Sequence, residues 1–305
     1  MSGHEDVEFK ALDGTVLRGV IYPAQKRGPG IIMTPGFTLT IQDYFFCDWA
    51  AFFQREGITA LAYDPRGFGR SEGSPRFEVD PMMNVCDYHD ALTFLKSHPM
   101  VNSKQIIFWG NSFSGMVALT AAALDNRVGA VIAINPVSHM DVALKEKWPA
   151  TLSRITRDRE SQLKGNPPYT LRVIGDVSQD TIGIAAEFVT DEAREYLERA
   201  RDVFSEYEVP QLTLQSYYKI FAWRPIALMA HVSPTPVLII SGENDETSPL
   251  RFQKEFIFEK LDEPKAMHVI ENKSHWDLLA ADMLPQVMNL MFDFIKNYIT
   301  NEKKF

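Results

Sequence analysis

The sequence predicts an α/β fold with a mostly parallel, eight-stranded sheet flanked by helices and a helical cap inserted into it. Three observations carry this. Short, wholly apolar runs, such as Ile31-Ile32-Met33 and Val131-Ile132-Ala133-Ile134, have the length and β-branched content of strands buried on both faces. Segments of helical spacing alternate with them, an order that leads to parallel strands covered by helices. Between residues 138 and 233 the pattern breaks into dense charge and many aromatics before the strand pattern returns. The expected organisation is therefore a core of residues 1–137 and 234–305 and a cap of residues 138–233.

The elements follow in order. Val7 to Ala11 and Thr15 to Tyr22 read as strands joined at Asp13-Gly14, a strong hairpin signal. Gly30 to Thr34 is an apolar strand that runs into Pro35-Gly36-Phe37-Thr38. Asp43 to Glu56 has helical spacing, with Phe46, Trp49, Ala50 and Phe53 on one face and Gly57 as the C-terminal stop. Thr59 to Tyr63 is the next strand, and Val85 to Ser97 the next helix, ended by His98-Pro99. Gln105 to Trp109 is a strand and Met116 to Leu124 a helix, with Gly110-Asn111-Ser112-Phe113-Ser114-Gly115 as the tight turn between them. Val128 to Asn135 is a further strand. In the cap, Thr190 starts a helix with the stripe Ala193, Tyr196, Leu197, Ala200, Val203 and Phe204, and Leu214, Tyr217, Tyr218 and Phe221 mark another. Pro236 to Gly242 and Lys265 to Glu271 are the last strands, Arg251 to Lys260 is helical, and Leu284 to Tyr298 closes the chain as a helix.

Composition narrows the function. The 305 residues carry 31 Lys and Arg against 40 Asp and Glu, a net charge of -9, with no basic stripe to hold nucleic acid. Cys47 and Cys86 are too few for a disulfide framework and form no Cys-x-x-Cys pair. No His-Glu-x-x-His motif or Cys/His cluster asks for a metal, and no cofactor is expected. The amino terminus lacks a charged-then-apolar leader pattern, and no apolar run approaches the roughly 18 residues of a membrane span. The expectation is a cytoplasmic protein without membrane contact. A homodimer stays open.

Ser112 on a strand-to-helix turn places a hydroxyl beside a helix N-terminus, where backbone N–H groups can hold an oxyanion. The run Gly110-Asn111-Ser112-Phe113-Ser114 resembles the Gly-x-Ser-x-Gly nucleophile elbow of α/β-hydrolases, with Ser114 in place of the last glycine. Asp64-Pro65-Arg66-Gly67-Phe68-Gly69-Arg70-Ser71-Glu72-Gly73 resembles a structural loop of the same family, in which Asp64 and Arg66 are expected to pair. The resemblance implies the remaining parts. Asp245, in Gly242-Glu243-Asn244-Asp245, takes the place of the family's acid, with Glu243 and Glu246 as weaker candidates. Of the seven histidines, His275, directly after the last strand, takes the place of the catalytic base. His268 lies inside the strand and is expected to pack, while His139 and His231 flank the cap as alternates. Phe37 and Phe113 supply the oxyanion N–H groups by position.

The order Ser112, Asp245, His275 is that of α/β-hydrolases. Within them the chain resembles the dienelactone-hydrolase-like and peptidase S15-like group and is similar to fungal polyketide-pathway thiohydrolases and acyl transferases. That resemblance implies a serine hydrolase cleaving an ester or thioester of a hydrophobic small-molecule acyl substrate. The alternative is an acyltransferase using the same triad with an alcohol or amine acceptor. A non-catalytic binding protein and a lyase on the same fold are further readings.

Overall fold

The computed structural model describes residues 3–42, 46–138, 148–173, 211–280 and 282–300. Ten strands are described: β1 (Glu5–Lys10), β2 (Val16–Tyr22), β3 (Gly28–Thr34), β4 (Thr59–Tyr63), β5 (Val101–Asn111), β6 (Ala130–Ile134), β7 (Thr170–Arg172), β8 (Gln211–Thr213), β9 (Val237–Gly242) and β10 (Lys265–Ile270). Eight of them form one sheet in the order β1-β2-β4-β3-β5-β6-β9-β10. The β1–β2 hairpin is antiparallel and adds antiparallel to β4, and every other pairing is parallel.

Alternation along each strand builds two cores. Ile32, Phe108, Val131 and Ile239 point to one face, and Ile31, Met33, Trp109, Ile132 and Ile240 to the other. The first face is covered by α2 (Pro81–Leu95) and α3 (Phe113–Ala123), the second by α1 (Phe46–Arg55) and α6 (Leu284–Ile295). In α1 the expected stripe is the buried one: Phe46, Trp49, Ala50 and Phe53. Trp109 from the sheet centre meets Trp49 at 5.2 Å and Phe46 edge-on at 5.6 Å.

Four local expectations shift. Helix α2 starts at Pro81 rather than Val85, because the Asp80 side chain accepts the Met83 N–H and Pro81 stands in the first turn. The segment expected as one helix over 251–260 is broken into a short α turn, a π turn at Gln253–Ile257 and a 3-10 turn at Phe258–Lys260. His268 is exposed on β10 rather than packed, since β10 is the edge strand. Tyr218 is exposed, so the buried stripe of α5 (Leu214–Ala222) is Leu214, Tyr217 and Ile220 instead.

Between β6 and β9 the described residues leave the sheet. They form α4 (Trp148–Gln162), α5, a 3-10 turn at Pro225–His231 and a small antiparallel ribbon of β7 and β8. The ribbon was not expected from sequence. The helix expected from Thr190 and the alternate His139 lie outside the described residues.

Candidate active site

The carboxyl ends of β3, β5, β6, β9 and β10 fall along one edge of the sheet, where such folds place their sites. Ser112 follows β5 there with φ 56° and ψ -123°, a conformation that L-residues rarely adopt. Its backbone is clamped on both sides. The Ser112 N–H donates to Ile134 O at 2.7 Å, and its carbonyl accepts from Gly115 at 3.1 Å and Val137 at 3.2 Å. The turn is tight enough that a Cβ on Gly110 would stand 2.2 Å from Ser114 O, so only glycine fits.

Ser114 stands where the motif usually has glycine, and it is tied in. Its hydroxyl bonds the Thr34 carbonyl at 2.8 Å and accepts the Asn111 N–H at 3.0 Å. The first of these joins the helix after Ser112 to the end of β3. From there Pro35-Gly36-Phe37 pass close to the elbow, since a Cβ on Gly36 would lie 3.4 Å from that of Ser112. The Phe37 and Phe113 rings meet edge-on at 5.4 Å. Phe113 opens α3, so its N–H has no partner within the helix. Beneath this loop Tyr88 Oη meets Thr34 Oγ1 at 2.7 Å and donates to Trp109 O at 2.7 Å.

Asp245 and His275 lie 30 residues apart in sequence and meet at 2.8 Å, Oδ2 to Nδ1. Both are buried, at 4% and 2% exposure. Burial separates Asp245 from its acidic neighbours, because Glu243 and Glu246 are exposed. The Asp245 carboxylate also accepts from Ser248 N at 2.6 Å and Gln253 Nε2 at 3.3 Å. With Asp245 as the acceptor at Nδ1, the other ring nitrogen of His275, Nε2, is left without a bond to the acid.

Two residues in this web carried no sequence signal. Gln253, from the π turn, accepts from Ser241 Oγ at 2.6 Å and donates to Ser248 O at 2.6 Å, so its amide is held facing Asp245. Asn135, with φ 44°, donates to His275 O at 3.0 Å and accepts from Gly242 N at 2.9 Å. It thus pins the histidine loop to β6 and β9, one residue beyond the carbonyl that holds Ser112. Of the alternates, His231 is exposed.

The loop after β4 corrects a further expectation. Asp64 and Arg66 do not pair. Asp64 is fully buried, accepting from Arg70 N of its own loop and from Ile41 N of the segment after β3, each at 2.9 Å. Burial nonetheless raises its carboxyl above the usual range. A Cβ on Gly69 would strike that carboxyl at 2.4 Å. Arg66 instead grips Asp87 of α2 with both prongs, at 2.5 and 2.8 Å, and reaches Asp13 of the hairpin at 2.7 Å.

Among the described residues no cluster of His, Cys, Asp or Glu could hold a metal ion, and no helix is long and apolar enough to cross a membrane.

The chain resembles known proteins over nearly its whole length. It is 42% identical over 298 residues to a thiohydrolase of Eupenicillium brefeldianum, covering 97% of this chain and 95% of that one. It is 39% identical over 296 residues to polyketide transferase ATR5 of Stachybotrys chlorohalonatus, covering 97% of each. Among solved structures, α/β-hydrolase GrgF of Penicillium sp. sh18 superposes with a TM-score of 0.87 at 35% identity, covering 98% of this chain and 99% of that one. DcsB in complex with its substrate analogue gives 0.88 at 32%, over 98% and 100%. With residues 29–282 matching the alpha/beta hydrolase fold family as well, the chain belongs to the α/β-hydrolases.

Proposed function

We propose that the protein is a serine enzyme of acyl transfer, opening an ester or thioester of a hydrophobic acyl group through Ser112, His275 and Asp245. The observation that carries this is the buried 2.8 Å hydrogen bond of Asp245 to His275 at the sheet edge that also presents Ser112. His275 Nε2 takes the proton of Ser112 Oγ as that oxygen attacks the acyl carbonyl, and Asp245 stabilises the imidazolium. The N–H groups of Phe37 and Phe113 receive the oxyanion, each such donor being worth about 3 kcal/mol. Collapse expels the thiol or alcohol, which takes the proton from His275 and leaves an acyl ester on Ser112. A water molecule, deprotonated by His275, then releases the acid.

Residues 138–233 are the cap in this reading, and their many aromatic residues suit a hydrophobic chain. The supporting contact is that of Trp223 with Phe113, ring to ring at 5.6 Å. The second reading is transfer of the same acyl group to an alcohol or amine. The transferase names of several relatives favour it, beside the thiohydrolase names that favour water. We assign the action to the cytoplasm, on small acyl substrates.

A panel of para-nitrophenyl esters and acyl thioesters tests this reading, run with and without an alcohol acceptor against Ser112→Ala. Free acid as the sole product supports hydrolysis, and a new ester supports transfer. Equal turnover by the variant would remove Ser112 from the chemistry.

A further inference from the structure

Tyr88 is a buried titratable side chain that the acyl chemistry does not use, yet its hydroxyl joins the two strands that lead to the oxyanion donors. It belongs to α2 and is 1% exposed. Its ring packs on Phe108 at 5.1 Å and edge-on against Tyr63 at 6.2 Å. Apolar neighbours therefore hold the ring, and the hydroxyl serves something else.

The two strands lie side by side. β3 and β5 are parallel, with Met33 opposite Trp109 and Thr34 opposite Gly110. Thr34 ends β3, three residues before Phe37, and Trp109 stands three residues before Ser112. Tyr88 Oη donates to Trp109 O at 2.7 Å and meets Thr34 Oγ1 at 2.7 Å. A phenol has one proton, and a carbonyl can only accept. The Tyr88 proton is thus committed to Trp109, and Thr34 donates to the Tyr88 oxygen. Burial pushes the phenol above its ordinary pKa, so that proton stays in place. A chain of donors runs from the Thr34 hydroxyl through the Tyr88 hydroxyl to the Trp109 carbonyl, and such chains strengthen their members.

An open space under the Phe37 loop gives this brace its weight. A cavity of about 20 Å³ lies among Thr34, Pro35, Gly36, Tyr88, Phe113 and Ser114, room for a water by the usual measure of roughly 10–15 Å³. At that place the loop does not rest on packed side chains, and it is fixed at its ends instead. Beyond Phe37, Ile41 N donates to Asp64 Oδ1 at 2.9 Å. Before it, Thr34 is tied twice, its carbonyl to Ser114 Oγ at 2.8 Å and its hydroxyl to Tyr88. Ser114 links Thr34 to the helix after Ser112, and Tyr88 links it to the strand before Ser112. Pro35 has its φ locked by the ring, so a displacement at Thr34 is carried on to the Phe37 N–H.

We propose that Tyr88 is a positioning residue of the oxyanion hole: by bridging Thr34 of β3 and Trp109 of β5, its hydroxyl sets the separation of the Phe37 and Phe113 N–H groups. This rests on the acyl chemistry assigned to Ser112 and adds to it a residue that touches no reacting atom. Donors of this kind act where charge develops in the transition state and little in the ground state, so the effect belongs to kcat.

The test uses the full chain and one acyl N-acetylcysteamine thioester, with rates referred to the enzyme that a fluorophosphonate titrates. Tyr88→Phe, which keeps the ring, and Thr34→Val, which keeps the shape, cut the same chain at different members. Each should lower kcat by about tenfold, the scale of one hydrogen bond, with KM within about twofold. The double variant should be no slower than the slower single one, because both remove one link. Inhibition by a trifluoromethyl ketone, whose adduct places an oxyanion in the hole, should weaken by the same factor as kcat. Thr34→Ser restores the hydroxyl and should recover most of the loss. Wild-type kcat in both single variants, a KM rise at unchanged kcat, or losses that multiply in the double variant overturn the proposal, and either single variant decides if the other does not fold. A wild type that turns over no thioester and whose Ser112 resists the fluorophosphonate overturns the acyl reading and the positioning role with it. An active, labelled wild type with unchanged variants overturns the positioning role alone.

Discussion

The Nδ1 atom of His275 and Oδ2 of Asp245 are 2.8 Å apart, and that same oxygen is approached by the Gln253 amide at 3.3 Å. Gln253 cannot turn its oxygen to Asp245, because Ser241 Oγ donates to that oxygen and Ser248 O accepts from the nitrogen. The glutamine therefore aims the carboxylate. Gln253→Met should lower kcat by about tenfold with KM within about twofold, since its amide bonds Ser241, Ser248 and Asp245 and the change removes one hydrogen bond from the acid. Steady-state kinetics on one thioester check this. A KM rise with unchanged kcat would contradict the positioning role.

Ser112 carries both the proposed chemistry and backbone strain, and two substitutions separate them. Ser112→Ala removes the nucleophile and keeps the strained φ of 56°, so turnover should fall at least about a thousandfold while urea stability stays near that of the wild type. Ser112→Gly relieves the strain and should be more stable than Ser112→Ala by about 1 kcal/mol. Equal urea midpoints for the two variants would show that the elbow stores no strain.

Arg66 sets a pH-dependent element away from the reacting centre. Burial of Asp87 dominates over its Arg66 bonds and raises its carboxyl to about 6. An acid raised above its unfolded value near 3.9 contributes stability fully below that value, and the contribution is lost as pH rises through about 6. Deleting the guanidinium removes what favours the charged form. Arg66→Leu should therefore cost most at pH 8, about 3–5 kcal/mol for an orphaned buried charge, and least near pH 5. Asp13 does not confuse that window. Its hydrogen bond from Arg66 lowers its carboxyl to about 2, so it stays ionised throughout. Chemical denaturation at pH 5, 6.5 and 8 checks the trend, and a penalty independent of pH would refute it.

The same arginine shows where sequence reading reached its end. Apolar runs locate the central sheet strands, because burial on both faces leaves its mark in composition, and the Asp13-Gly14 turn locates the hairpin at the edge. Thr59 to Tyr63 matches to the residue. Asp245 and His275 are legible because each follows an apolar strand, and strand ends are where this topology gathers its polar groups. Pairings across the fold are not local and leave no such mark. Asp87 lies 21 residues beyond Arg66 on a helix, and nothing in the intervening sequence says that the arginine will prefer it to Asp64. Asn135 meets His275 across 140 residues. The π turn that presents Gln253 differs from an α turn by one residue of register, which composition does not record.

Ser114 offers a last case, in which agreement with a motif and agreement with the fold pull apart. The elbow pattern asks for glycine there, and Ser114→Gly would complete it. In this chain, however, the Ser114 hydroxyl receives the N–H of Asn111, a residue only 2% exposed, and bonds Thr34 O. Removing it leaves the Asn111 donor buried without a partner, at a cost of about 1–3 kcal/mol, and glycine in the first turn of α3 adds roughly 0.5–1 kcal/mol. Ser114→Ala isolates the hydroxyl. The expected order of urea stability is wild type, then Ser114→Ala, then Ser114→Gly. Because the lost bond joins α3 to the end of β3, both variants should also lower kcat by loosening Phe37 against Phe113. A glycine variant as stable and active as the wild type would mean that the hydroxyl only fills space, and that the close approach of strand and helix alone holds the elbow.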